Sequence, residues 1–209
     1  MFKLSKSVLS GFVFAHRHAM VAVLALLSPT MVWWGVDVVP DFPFEQSRFF
    51  VLACVFLGTF LLLAGIALRI WSGLYIGGNK NSSLVVAGPY RLIRNPLYVG
   101  NLVSAMGVLC FTESATATLL LITGLAFVYR FTIVHEEMNL LSIFGETYRE
   151  YSASTPRFVP HATEIKALLK PDIQRPEQIT YTNLARELGR GSVFITTGIL
   201  VLILTQAFV

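Results

Sequence analysis

Charged residues are scarce in this chain of 209 residues, since Asp, Glu, Lys and Arg together make up 13% of it. Soluble domains carry about 25% charged residues, and disordered chains combine low hydrophobicity with high net charge. The hydrophobic content of 55% and the mean hydropathy of +0.66 point the opposite way. The composition therefore argues against a soluble globular enzyme and a disordered chain, and it predicts an integral membrane protein.

Cysteine is equally scarce, since Cys54 and Cys110 are the only two in the chain. Both lie inside apolar runs and have no metal-binding spacing, which argues against a disulfide framework and a metal centre. We therefore predict no metal site. The chain also has no convincing secretory signal, because the short apolar run at 8–15 is followed by His-Arg-His at 16–18 instead of a small-residue cleavage site.

Long apolar runs are abundant. A hydrocarbon core about 30 Å thick requires about 20 apolar residues in a helix that rises about 1.5 Å per residue. Five runs meet or approach this length: residues 18–39, 49–71, 96–111, 114–134 and 192–209. The fold class predicted from them is all-α, a polytopic membrane protein with about five transmembrane helices. The polar clusters and the resemblance described below add a cytoplasmic cofactor pocket to this prediction.

The distribution of charge predicts the orientation of these helices. Five spans place the two termini on opposite sides of the membrane. The predicted loops opposite the N-terminus, 37–48 and 112–114, hold one of the 16 basic and four of the 12 acidic residues. The positive-inside rule then places the N-terminus and the segments 72–95 and 135–191 in the cytoplasm. The basic pI thus reflects topology, and we predict no nucleic-acid partner.

The first polar cluster, residues 88–101, reads GPYRLIRNPLYVGN and lies at the cytoplasmic start of the third predicted span. Its two arginines and two tyrosines suit a binding site, and they suit equally well a basic membrane anchor with a helix that begins at Pro96. Gly100, Ser104 and Gly107 form a small-residue helix face that allows close approach of another backbone or of a ligand.

The second polar cluster is His135, Glu136 and Glu137, at the cytoplasmic end of the fourth predicted span. A charged side chain costs about 2.5–3.5 kcal/mol toward the bilayer centre, so paired acids at this position need either water or a basic partner. Arg130 lies about one turn away, and the arginines of the first cluster lie at the same predicted depth. This arrangement favours a polar pocket over a solvated helix end.

The third cluster, residues 144–151, continues the same predicted helix after a break expected at Gly145. Tyr148 and Tyr151 are three residues apart and share one helical face. They can close over a flat ring such as adenine or pack on the membrane surface, and the residues alone leave both interpretations open. The prolines at 156 and 160 are expected to end this helix.

Taken in order, the clusters resemble the two signatures of the isoprenylcysteine carboxyl methyltransferase and phospholipid methyltransferase superfamily. The first reads G-x-Y-x-x-x-R-N-P-x-Y-x-G from Gly88 to Gly100, and the second reads E-E-x-x-L-x-x-x-F-G-x-x-Y-x-x-Y from Glu136 to Tyr151. The resemblance covers about half of the chain. Asn95 stands where the isoprenylcysteine branch has histidine and resembles the phosphatidylethanolamine branch. Asparagine cannot titrate near neutral pH, which argues against proton transfer there.

The resemblance implies S-adenosylmethionine as methyl donor and a lipid or lipidated acceptor that arrives through the bilayer. It implies catalytic roles for Arg94, Glu137 and His135. It also implies a cofactor site made of Tyr90, Arg91, Arg94, Asn95, Tyr98, Gly100, Asn101, Glu136, Glu137, Phe144 and Tyr148. The predicted organisation is an N-terminal segment with the first span at 1–48, a methyltransferase core at 49–160, and a cytoplasmic linker with the last span at 161–209.

Two other functions fit the sequence. Sterol-type NADPH-dependent membrane reductases carry a similar R-H-P-x-Y motif, although the acidic pair at 136–137 is a poor partner for an anionic dinucleotide. A non-enzymatic assembly or transport subunit is the other alternative, with the charged clusters serving only as topology determinants. The sequence leaves three points open. They are the acceptor (an isoprenylcysteine, a phospholipid amine or an isoprenoid-like lipid), the oligomeric state, and whether the membrane is the bacterial inner membrane or the endoplasmic reticulum.

Overall fold

The computed structural model describes residues 2–34, 48–76, 83–111 and 115–161, together with a few isolated positions from 185 to 199. Within these ranges the regular secondary structure is helical and no strand occurs, which confirms the all-α prediction. The helices are α1 (Phe2–Trp33), α2 (Arg48–Ile76), α3 (Pro89–Leu92), α4 (Pro96–Leu109) and α5 (Ala115–Ser154).

Two helices of the described residues, α2 and α5, are long and apolar enough to cross a membrane. Shorter apolar stretches occur at Val8–Leu24 in α1 and over Pro96–Leu109. The predicted count of five spans is therefore not confirmed. The predicted fifth span at 192–209, the loop 37–47 and residues 112–114 lie outside the continuous described ranges.

The first apolar helix differs from its predicted bounds of 18–39. The helix already begins at Phe2, and it ends at Trp33. His16 and Arg17 do not interrupt it, and each contacts a main-chain oxygen of the preceding turn; His16 Nδ1 lies 3.0 Å from the Phe12 carbonyl oxygen. Arg17 donates a hydrogen bond from Nη1 to the Phe14 carbonyl oxygen at 2.5 Å and lies 3.9 Å from the centre of the Phe14 ring. A local hydropathy pattern does not register such self-satisfied polar groups.

The long helix α5 follows the sequence prediction closely. It continues past the fourth predicted span, changes direction at Gly145 and ends at Ser154, before the predicted stop at Pro156. Gly145 has φ 54° and ψ −122°, a backbone conformation that essentially only glycine adopts. The kink is therefore encoded by one residue.

Close packing of α2 on α4 uses the small-residue face predicted on the third span. A Cβ atom added at Gly107 would lie 2.5 Å from the Leu62 amide nitrogen and 2.6 Å from the Gly58 carbonyl oxygen. Ser104 donates a hydrogen bond from Oγ to the Leu62 carbonyl oxygen at 3.5 Å. The sequence allowed either another backbone or a ligand to approach this face, and the structure shows the backbone of α2 there.

The chain forms two compact units. Unit 1 comprises Met1–Ala64, Leu102–His135 and Ser192–Val209, and unit 2 comprises Gly65–Asn101 and Glu136–Gly191. The described part of unit 1 has an apolar core that includes Val13, Leu62, Leu125, Val128 and Ile133. Unit 1 also exposes large apolar side chains, among them Leu52, Phe56, Phe60 and Phe127. Unit 2 contains both family signatures, and it buries polar side chains beside aromatic ones.

Candidate functional site

The first signature in unit 2 begins at Gly88, whose backbone has φ 59° and ψ −129°. A side chain at this position would be strained, and its Cβ atom would lie 2.4 Å from the ring of Tyr75. The ring of Tyr75 therefore packs directly against the Gly88 backbone. Pro89 then opens the short helix α3, which places Tyr90 in the buried interior of the unit.

The segment between α3 and α4 carries Arg94 and Asn95. Ile93 is extended, with φ −147° and ψ 147°, and ends α3. The Asn95 carbonyl oxygen accepts hydrogen bonds from the amides of Tyr98 and Val99, both at 3.1 Å. Pro96 occupies the first helical position of α4, where its missing N–H costs no hydrogen bond. These local signals place Arg94 and Asn95 in the turn that precedes a helix.

Two hydrogen bonds to main-chain carbonyl oxygens connect the first signature to the second signature and to the residues that follow it. The Tyr151 hydroxyl donates to the Tyr90 carbonyl oxygen at 2.7 Å, across 61 residues of sequence. The Arg94 amide donates to the Pro156 carbonyl oxygen at 2.9 Å. Both contacts connect the 88–101 segment to the part of the chain that follows the Gly145 kink. The structure thus joins segments that the sequence only suggested to be neighbours.

An ion cluster lies at this junction, with Glu137 at its centre. Arg94 Nη1 lies 3.3 Å from Glu137 Oε1. Arg157 contacts the same carboxylate with two groups, Nε to Oε1 at 3.1 Å and Nη2 to Oε2 at 2.5 Å. Glu137 is only 9% exposed. Burial of a carboxylate is costly unless it is paired and hydrogen-bonded, and the two guanidinium groups supply both conditions.

Sequence reasoning missed Arg157. Its hydrogen bonds to Glu137 raise the pKa of the Arg157 guanidinium; desolvation opposes this shift, and the nearby carboxylate adds to it. The only sequence signal was its position one residue after Pro156, at the predicted end of the helix that carries the third cluster. That signal cannot identify a partner 20 residues earlier, because their contact depends on the return of the chain after Gly145.

Several buried polar atoms surround the cluster. The Asn95 side-chain nitrogen and Arg94 Nε have no hydrogen-bond partner within the described part of the chain. The Tyr148 hydroxyl lies beside the Arg94 guanidinium but makes no aligned hydrogen bond among the same residues. Asn95 is 7% and Tyr148 is 4% exposed. Since buried polar groups are nearly always hydrogen-bonded, these atoms are suited to bind a polar ligand.

Two predicted cofactor residues have structural roles in unit 2. A Cβ atom at Gly100 would lie 2.9 Å from the Gly65 carbonyl oxygen, so Gly100 allows α4 to approach α2. The Asn101 side-chain oxygen accepts a hydrogen bond from Arg69 Nη1. Both observations assign these residues to helix packing, and their predicted contact with a cofactor stays a prediction.

The other predicted site residues differ in location and exposure. His135 belongs to unit 1, where its ring stacks on Phe14 with a centroid distance of 4.5 Å. Arg91 is exposed, and the remaining three are partly exposed, namely Tyr98, Glu136 and Phe144. Their roles, including the proposed catalytic role of His135, stay predictions.

Comparison with known proteins supports the superfamily suggested by the signatures. Residues 47–147 match the phospholipid methyltransferase family. Over 92 residues the chain is 45% identical to the cobalt-zinc-cadmium resistance protein CzcN of Cupriavidus metallidurans, covering 44% of this chain and 42% of that protein. It is 39% identical over 92 residues to the nickel-cobalt-cadmium resistance protein NccN of Alcaligenes xylosoxydans xylosoxydans, covering 44% of this chain and 43% of that protein.

A protein-S-isoprenylcysteine O-methyltransferase of Schizosaccharomyces pombe is 34% identical over 82 residues, which are 39% of this chain and 35% of that enzyme. The matched segment thus spans less than half the length of each of these relatives. No solved structure matches the chain.

Proposed function

From the premise that this chain belongs, through residues 47–147, to the superfamily of phospholipid and isoprenylcysteine methyltransferases, we propose that it is a membrane methyltransferase. It transfers a methyl group from S-adenosylmethionine to a lipid or lipidated acceptor at the cytoplasmic membrane face. The observation that carries the proposal is the ion pair between Arg94 and Glu137. It joins the two signatures of the superfamily in one buried polar cluster.

The residues of the cluster suit the polar groups of this cofactor. Glu137 offers a carboxylate to an ammonium group, and the Arg94 guanidinium offers a donor pair to a carboxylate. The buried donors of Asn95 and Tyr148 supply the hydrogen bonds that further polar groups require. When bound, S-adenosylmethionine supplies an electrophilic methyl group on a sulfonium centre.

The chain's own contribution to such a displacement is alignment and exclusion of water. Correct alignment of two reactants contributes about 7–11 kcal/mol. The hydrogen bonds Tyr151 to Tyr90 and Arg94 to Pro156 hold the two signatures in fixed positions, and the low exposure of Tyr148 keeps water from one side of the cluster. No proton transfer has to be assigned for a carboxylate acceptor, whereas an amine acceptor needs a base.

The cluster changes one argument about the alternative reductase. The sequence suggested that the acidic pair at 136–137 repels an anionic dinucleotide. In the structure two guanidinium groups surround Glu137, so charge alone no longer disfavours NADPH. The family match and the paired signatures favour the methyltransferase.

Calorimetry on the full chain in detergent separates these functions. We expect binding of S-adenosylhomocysteine, the product of the donor, and no binding of NADPH. Binding of NADPH alone supports the reductase. Binding of neither compound supports a non-enzymatic subunit and contradicts the proposed methyltransferase.

The names of the relatives favour a second candidate, a role in resistance to cobalt, zinc, cadmium or nickel. Among the described residues no group of three or more His, Cys, Asp or Glu side chains is placed to hold a metal ion. A role in resistance through methylation of a membrane component agrees with the family match. Metal tolerance of a deletion strain complemented with the wild type or with Glu137→Gln tests this. Equal complementation by both supports a non-enzymatic role.

A further inference from the structure

Glu137 is contacted by two arginines, which has a consequence for its proposed role. Arg157 contacts both carboxylate oxygens, at 3.1 Å and 2.5 Å, whereas Arg94 contacts only Oε1, at 3.3 Å. A carboxylate clamped in this bidentate way is in the strongest common geometry for an arginine pair. Because two guanidinium groups already face this carboxylate, an ammonium group that pairs with Glu137 meets their repulsion, and the departure of one arginine relieves it.

The two arginines differ in how easily they can leave. The Arg94 side chain is 15% exposed and the Arg157 side chain 50% exposed. A buried charge that loses its partner is strongly destabilised, but a half-exposed guanidinium can exchange its partner for water at little cost. Arg157 also follows the end of α5, and its neighbour Pro156 is held through its carbonyl oxygen by the Arg94 amide. The backbone is therefore anchored while the long side chain can turn toward water.

We propose that Arg157 is a positioning residue that acts as the exchangeable counter-ion of Glu137. It neutralises and orients the buried carboxylate, and it turns into solvent when the ammonium group of a ligand pairs with Glu137. Arg94 remains in place and keeps one contact with the carboxylate throughout. This inference rests on the proposed function, because it requires a ligand with an ammonium group at this cluster.

Exchange of the counter-ion opposes ligand binding, so its removal should tighten binding. Breaking a partly exposed ion pair corresponds to a factor of about 1.4 to 5 in affinity. S-adenosylhomocysteine carries an ammonium group, whereas 5′-methylthioadenosine lacks the amino-acid portion and has no group for Glu137. The effect should therefore be specific to the first compound.

The test compares the full chain and Arg157→Ala in detergent by calorimetry with each compound. We expect S-adenosylhomocysteine to bind about two- to fivefold tighter to Arg157→Ala, with unchanged affinity for 5′-methylthioadenosine and a lower melting temperature without ligand. Arg157→Lys, which restores a cation, should return the affinity toward the wild-type value. Arg149→Ala is the matched control, because Arg149 pairs with Glu146 at an exposed site; it should change neither affinity.

Other outcomes overturn the proposal. Weaker binding of S-adenosylhomocysteine to Arg157→Ala means that Arg157 contacts the ligand directly, and unchanged binding means that its role is only structural. Arg157→Met keeps the aliphatic stem and replaces the alanine variant if that variant does not fold. If the folded wild type does not bind S-adenosylhomocysteine at all, the proposed function itself fails. If the wild type binds it and the variant binds more weakly, only the role of Arg157 as an exchangeable counter-ion fails.

Discussion

At the scale of single residues, Glu137 shows how much of a buried polar cluster the spacing along a chain can indicate. The sequence identified it as a pocket acid near Arg94, and the structure places their side chains in contact. Its second partner, Arg157, was not predicted, although it makes the shorter contacts. The reason is that a motif records spacing along the chain, whereas the partner of a buried charge is chosen by proximity in space.

We expect Glu136→Ala and Glu137→Ala each to weaken S-adenosylhomocysteine binding at least tenfold, the step of about 1.4 kcal/mol expected when a charged contact is lost. Glu137→Ala should also lower the free energy of unfolding by about 3–5 kcal/mol, because it leaves the buried Arg94 without its carboxylate. Isothermal calorimetry and thermal unfolding in detergent measure the two quantities.

Glu146→Ala is the control for these variants, since Glu146 forms only an exposed pair with Arg149. Its expected effect on stability lies within about 0.5 kcal/mol. Unchanged affinity in both folded pocket variants would remove these acids from the cofactor site.

At the scale of secondary structure, the kink of α5 is the element on which the ion cluster depends. The chain must change direction at Gly145 for Arg157 to reach Glu137, 20 residues earlier. This break was predicted from a glycine inside a helical pattern, and the helix end from the two prolines that follow; both are local signals. The contact that the kink makes possible is not local, and it was not predicted.

Gly145→Ala should therefore destabilise the protein by about 1–3 kcal/mol through backbone strain alone, because nothing lies within 4 Å of the added Cβ atom. The measurement is the melting temperature in detergent, followed by the affinity for S-adenosylhomocysteine, which should fall as the 146–157 segment shifts. Gly189→Ala is the matched control, since Gly189 also has open space around it and no positive φ. Equal stability of the two variants would show that the kink does not require glycine.

At the scale of the whole molecule, the low charge content and the two long apolar helices indicate a membrane protein. The described part of unit 1 exposes Phe56, Phe60 and Phe127, which suits contact with lipid, while unit 2 holds the polar cluster. Orientation in the membrane follows from the distribution of Lys and Arg in the sequence. It stays a prediction, since the predicted external loop 37–47 and residues 112–114 lie outside the described residues.

We expect a cysteine introduced at position 41 to react with an impermeant maleimide from outside intact cells, and one at position 80 to react only after permeabilisation. The reason is the positive-inside rule applied to the predicted loops 37–48 and 72–95. Both variants also carry Cys54→Ser and Cys110→Ser, so that the label reports the introduced cysteine. The control is the protein with these two substitutions and no introduced cysteine, which should not be labelled. Reaction at position 80 in intact cells would invert the proposed topology and place the cluster away from the cytoplasm.

Composition and local pattern by themselves determined the protein class, the helices of the core, the break at Gly145 and the residues of the two signatures, because hydropathy, glycine and proline act over one or two turns. Only the tertiary structure decided that Gly100 packs helix on helix, that Asn101 pairs with Arg69, and that Arg157 clamps Glu137. Each of these depends on which segments become neighbours. A buried polar side chain hydrogen-bonds to a group that the fold brings within about 3 Å. Spacing along the chain does not determine which group this is.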